Sequence, residues 1–129
     1  RSQMAEGWIN HTLGATWEAH SAGTKPAEGV HPLAVEVMAE AGVDISQGVP
    51  ESVDRYLSED WDLVVTVCDS AKETCPVFPG PVSVLHASFF DPADAKGSME
   101  QQIEVFRSVR DQIKSRLLPL VDQRDRLQS

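Results

Sequence analysis

Asp62-Leu63-Val64-Val65-Thr66-Val67-Cys68 is a short, continuous apolar run that ends on a cysteine, with a second cysteine, Cys75, seven residues later. The run is long enough for an interior strand and too short for a helix. Asp69-Ser70-Ala71-Lys72-Glu73-Thr74 then supplies a capping residue and helix-tolerant side chains, and Pro76 stops the element. In a helix rising about 1.5 Å per residue, the two cysteine Cα atoms stand roughly 10 Å apart. A disulfide tolerates no more than about 7 Å. The bond therefore requires the short helix to unwind, which is the behaviour of a redox switch. Against this stands the plain alternative that Cys is often a small buried hydrophobe. Zinc is the weaker reading, because structural sites need four N/S ligands and only His86 lies near in sequence. Cys68 also falls at the carboxyl end of a strand and at a helix N-terminus, which lowers a thiol pKa.

Working outward, strands and helices alternate. Residues 2–13 read as a helix capped by Ser2, with Ala5, Trp8, Ile9 and Thr12 on one face and Gly14 at its end. Residues 16–22 suit a strand ending at Gly23. His31-Pro32 opens a second helix with Ala34, Val37, Met38 and Ala41 at core spacing and Gly42 as its stop. A shorter helix is expected over 50–58, and a strand over 82–86. The loop Phe89-Phe90-Asp91-Pro92-Ala93-Asp94 leads to a final helix that carries Ile103, Phe106, Ile113, Leu117 and Leu120 on one face, with a frayed tail from Asp122. Such alternation predicts an α/β domain with a parallel sheet. Ligands of these sheets bind beyond the carboxyl ends of the strands, where Cys68, Ser21 and the Asp91 loop all fall.

The 129 residues suffice for one domain, 1–129, with a sizeable core. A net charge of −9 argues against nucleic acid and anionic membrane as partners. No apolar run reaches membrane length. Two cysteines do not make a secreted disulfide scaffold, so a cytoplasmic, reducing compartment is expected. His11, His20, His31 and His86 read as surface or capping residues, and Trp8, Trp17 and Trp61 as packing residues.

The strings Arg1-Ser2-Gln3-Met4-Ala5-Glu6-Gly7-Trp8, His20-Ser21-Ala22-Gly23, His31-Pro32, Val43-Asp44-Ile45-Ser46, Cys75-Pro76 and Asp91-Pro92-Ala93, together with the run ending at Cys68, carry a resemblance that covers nearly the whole chain in order. The chain resembles the thioredoxin-coupled arsenate reductases built on the low-molecular-weight protein tyrosine phosphatase fold. The resemblance implies a three-layer sandwich with a parallel sheet. It also implies that a central first strand and a Cys-x5-Arg loop, ending at Arg1, lie upstream of this chain, which without them is expected not to reduce arsenate.

For the intact protein the resemblance implies a cysteine relay. An upstream thiolate attacks arsenate held by Arg1, whose planar fork suits a bidentate oxyanion. Ser2 is similar to the residue that hydrogen-bonds the nucleophilic sulfur. Asp91 looks like the general acid, a role that a neighbouring negative charge favours. Cys68 then attacks the adduct and releases arsenite, and Cys75 attacks Cys68 to present a disulfide to thioredoxin. Glu6, Ser21 and Glu51 resemble positions that hold a potassium ion in some members; no tightly bound cofactor is implied, and a monomer is expected. Two other readings remain: a phosphatase of the same fold, which needs neither Cys68 nor Cys75, and an inactive fragment or thiol-pair binding module.

Overall fold

The computed structural model describes residues 1–22, 30–48, 51–68 and 82–128. The expected cysteine helix over 69–75, with Cys75 itself, lies outside them. Three helices stand in the described chain: α1 over Ser2–Leu13, α2 over Pro32–Glu40 and α3 over Met99–Gln128. Two three-residue strands, β1 over Val64–Thr66 and β2 over Val84–His86, pair in parallel with Val64 opposite Val84, Val65 opposite Leu85 and Thr66 opposite His86. Helices with a parallel sheet give the α/β class expected from the sequence. No helix among the described residues is long and apolar enough to cross a membrane.

Local chemistry sets the helix ends. At α2 the imidazole of His31 accepts from Leu33 N at 3.1 Å while Pro32 fills the first turn, where its missing N–H costs nothing. The helix stops in a Schellman turn: Gly42 takes φ +82°, its N–H reaches Ala39 O, and Val43 N reaches Met38 O. Val43 and Met38, on either side of that turn, are both buried. The long α3 opens on a capping box, in which Gln101 N donates to Ser98 Oγ and Ser98 N donates to Gln101 Oε1.

Both α1 and α2 pack on α3. The core joins Met4, Trp8, Val37, Met38, Phe89, Ile113, Leu117 and Val121, and no charged side chain is buried among the described residues. The Trp8 indole N–H donates to Arg110 O, tying α1 to α3 at 3.1 Å. At the α2–α3 seam, Arg107 and Arg110 both grip Glu40, and Arg110 also donates to Val37 O. Hydrogen bonding to Arg107 above all holds the Glu40 carboxyl down to about 2. The same carboxylates raise both guanidinium groups, Glu40 leading for Arg107 and Asp111 for Arg110.

Several elements depart from the sequence reading. The expected strand over 16–22 is absent: residues 14–16 turn and 17–22 run on without a sheet partner. A strand needs a neighbour to satisfy its backbone, and none of the described segments lies alongside. Instead Asn10 supplies both groups of a peptide, its amide oxygen accepting from Ala19 N and its NH₂ donating to Ala19 O. Trp17 packs on the core as expected, but its buried indole N–H has no partner among the described residues. Ser2 is the first helical residue rather than the cap, which falls to Arg1, and Met4 rather than Thr12 completes the buried face of α1. The helix expected over 50–58 is a single 3₁₀ turn, Val53–Tyr56. Leu120 is 40% exposed, because the buried stripe of α3 shifts round the helix from Phe106 and Val109 to Leu117, Leu118 and Val121. The backbone that was expected to fray stays helical to Gln128.

Candidate functional site

The cap residue of α1, Arg1, makes no side-chain bond to the main-chain N–H groups of the first turn, and that turn holds no acidic residue. Such an end favours an anion, since the free donors and the helix dipole act together. Arg1 is the residue at that end. Its guanidinium reaches across to the loop after β2, donating through one nitrogen to Phe89 O at 3.1 Å and through the other to Asp91 Oδ2 at 3.3 Å. Only 12% of the Arg1 side chain is exposed, against 31% for Asp91, so the pair is shielded on one side and reachable on the other.

Asp91 is oriented by its own local fold. Pro92 opens a 3₁₀ turn, Pro92–Asp94, and Asp91 caps it with Oδ1 accepting from Ala93 N at 3.1 Å. Proline at that point fixes φ and removes a donor the turn does not need. One carboxylate oxygen therefore anchors the loop while the other faces Arg1.

Cys68 enters through the same loop. Beyond the end of β1, Val67 O accepts from Phe89 N at 3.2 Å. Phe89 thus holds the strand end with its N–H and Arg1 with its carbonyl, and Cys68 is the residue after Val67. Three positions separated by up to 90 residues in sequence, Arg1, Cys68 and Asp91, converge through one phenylalanine backbone. Cys68 is half-buried and disulfide-bonded. The Cys68 sulfur is therefore not a free thiol in the state described; the expected helical separation from Cys75 falls on residues outside those described. Ser2, half-buried in the first turn of α1, follows Arg1 directly.

Of the three residues singled out for potassium, Glu6 and Ser21 meet, while Glu51 is engaged by Tyr56. The Ser21 hydroxyl donates to Glu6 Oε2, and the Tyr56 hydroxyl donates to the Glu51 carboxylate. His20, the neighbour of Ser21, lies with its ring 6.0 Å from Tyr56 and 5.8 Å from Trp61, so one aromatic cluster lies between the two pairs. Oxygen donors of this kind suit a hard cation. Among the described residues no group of three or more His, Cys, Asp or Glu is arranged to hold a metal.

The family model for low molecular weight phosphotyrosine protein phosphatase matches residues 1–128. The chain belongs to this family. Within the phosphatase family the chain is similar to the arsenate reductase of Halalkalibacterium halodurans, 46% identical over 117 residues that cover 91% of this chain and 84% of that protein. The Bacillus subtilis arsenate reductase is 44% identical over the same shares. Among solved structures, an arsenate reductase in the oxidised state superposes with TM-score 0.72 at 30% identity, covering 95% of this chain and 88% of that one. A thioredoxin-dependent arsenate reductase from Corynebacterium glutamicum, at 30% identity and TM-score 0.53, covers 88% of this chain and 54% of its own.

Sequence reading named Arg1, Cys68 and Asp91 but missed the residue that joins them. Phe89 acts through its main chain, and a main-chain acceptor leaves no trace in residue type.

Proposed function

We propose that this member of the phosphatase family reduces arsenate to arsenite, with Cys68 and Cys75 as the dithiol that carries the electrons out. The observation that supports it is the convergence of Arg1, Asp91 and the Cys68 strand end on Phe89. A phosphatase needs an oxyanion clamp and an acid; it has no use for a cysteine beside them that enters a disulfide.

In the relay that the resemblance implies, the thiolate of a third cysteine, distinct from Cys68 and Cys75, attacks arsenate and forms a sulfur–arsenic bond. Asp91 gives its proton to the departing oxygen, which leaves as water. Arsenate must draw an Arg1 nitrogen away from Asp91 Oδ2, so binding itself releases that oxygen to carry the proton. Helix α1 and Arg1 stabilise the negative charge that develops on the arsenic oxygens. The Cys68 thiolate then attacks the bound sulfur. The sulfur–arsenic bond breaks with its electron pair going to arsenic, which leaves as arsenite, and a disulfide forms. Cys75 attacks Cys68, the third cysteine departs as a thiolate, and thioredoxin reduces the Cys68–Cys75 bond with two electrons.

Glu6 and Ser21 would hold a potassium ion, which would brace the segment after Trp17 against α1. The setting is the cytoplasm, the working unit a monomer, and the partner thioredoxin. The deciding experiment is arsenate-dependent oxidation of thioredoxin by a protein in which a Cys-x5 segment is placed ahead of Arg1. Cys68→Ser and Cys75→Ser are each expected to abolish this turnover while sparing hydrolysis of an aryl phosphate. Loss of both activities together, or retention of arsenate turnover, sinks the relay.

A further inference from the structure

Three arginines of α3 are engaged by described residues, and they are used differently. Arg107 and Arg110 pair with the carboxylates Glu40, Glu104 and Asp111. Arg116 pairs with no carboxylate among the described residues. Its guanidinium instead donates to Ser88 O at 3.0 Å and lies 4.6 Å over the Phe89 ring. Phe89 is only 2% exposed, so the cation closes one face of a ring whose remainder is in the core. Both contacts fall on the two residues directly before the Phe90–Asp91 segment.

From this placement we infer that Arg116 is a positioning residue for the oxyanion clamp. Phe89 has two main-chain duties, carried by successive peptides: its N–H, in the peptide shared with Ser88, donates to Val67 O, and its carbonyl, in the peptide shared with Phe90, accepts from Arg1. Rotation of the first peptide would swing the N–H off the strand that leads to Cys68, and rotation of the second would swing the carbonyl off Arg1. Arg116 holds the Ser88 carbonyl, and with it the plane of the first peptide, while the buried Phe89 ring fixes the residue that joins the two planes. Arginine suits this task because its plane stacks on an aromatic face while its edge donates in plane. A lysine ammonium is a point charge with no plane to stack on the ring.

The inference takes its functional meaning from the arsenate reductase reading, but its geometry does not depend on that reading. The first readout therefore needs no substrate: the Arg1 Nε–H cross-peak and the Phe89 and Ala93 amide cross-peaks in ¹H–¹⁵N spectra. Arg116→Ala is expected to shift all three, Arg116→Lys to shift them less, and both variants to leave the His31–Leu33 cap unmoved. The second readout is arsenate turnover by the protein with a Cys-x5 segment placed ahead of Arg1. There Arg116→Ala is expected to raise KM for arsenate about tenfold with kcat within about twofold, since loss of clamp alignment weakens anion binding before it slows sulfur chemistry. Thioredoxin reduction of the Cys68–Cys75 disulfide is expected to stay at its wild-type rate. Unmoved Arg1 and Phe89 signals, or a KM unchanged in Arg116→Ala, would overturn the inference. If Arg116→Ala does not fold, Arg116→Gln keeps a donor for Ser88 O without the cation and is read the same way. A wild-type protein with no arsenate turnover would defeat the proposed function, and the ligand-free spectra would still decide the role of Arg116.

Discussion

Replacing Gly7 by alanine tests whether α1, which carries Arg1 at its tip, sits as close to the segment after α2 as the structure requires. Gly7 is in the interior of α1, where alanine is favoured over glycine by about 1 kcal/mol. The new methyl would meet Ile45 Cγ2 at 2.6 Å, Val43 Cγ1 at 3.3 Å and Met38 Cε at 3.4 Å. Met38 is unbranched and can yield, whereas Ile45 is β-branched, buried and stiff at χ1. Overpacking of this kind costs about 1–3 kcal/mol, so the net effect is a loss of about 0–2 kcal/mol. The second half of the test removes the obstacle. In an Ile45→Ala background, the Gly7→Ala change is expected to regain its helix benefit of about 1 kcal/mol, so the two changes couple favourably. Urea denaturation of the four proteins measures this cycle, with unchanged m values as the check that the unfolded state is the same. If Gly7→Ala stabilises the otherwise wild-type protein by its full propensity, the close approach of α1 to Ile45 is not real.

Further outcomes are expected elsewhere. Asp91→Asn keeps a cap for Ala93 N but removes the charged partner of Arg1 and the proton donor, so kcat for arsenate should fall about 10²-fold, measured as thioredoxin oxidation. Asn10→Ala removes both bonds to Ala19 and should cost about 1–2 kcal/mol in denaturant titrations, with the Ser21 amide signal shifting most. The Glu40 carboxyl, held at about 2 against an ordinary 4.5, contributes stability that is full above the ordinary value and is lost as pH falls towards 2. Glu40→Gln should therefore flatten the melting-temperature profile across that window, and salt should shrink the difference because the group is accessible to solvent. Potassium, compared with choline at equal ionic strength, should raise the melting temperature of the wild-type protein and not of Glu6→Gln; equal shifts would remove the ion from the Glu6–Ser21 pair.

The parts of the fold that were legible in the sequence are those decided locally. Leu63 to Val67 reads as a strand from composition alone, and His31-Pro32 with Gly42 brackets α2 because proline and glycine have few conformational choices. The parts that were not legible depend on neighbours. Residues 16–22 have strand composition, but an extended segment becomes a strand only beside a partner, and here Asn10 takes one residue's share of that role. Leu120 lies on the helical face set by Phe106 and Ile113, yet burial depends on what lies opposite, and the core turns towards Val121. The site follows the same division. Arg1, Asp91 and Cys68 could be named from motifs, whereas the peptide of Phe89 and the guanidinium of Arg116 are known only through the contacts they make.

The Asn10 contact has a mechanical consequence. A side chain that grips both main-chain groups of one residue acts as a rivet: it fixes where Ala19 sits. The stretch from Trp17 to Ser21 is thereby secured to the same rod that ends in Arg1, at Ala19 by Asn10 and at Ser21 by Glu6. Because successive residues of an extended chain turn their polar groups to opposite edges, a strand laid along the other edge would pair without the rivet having to be drawn.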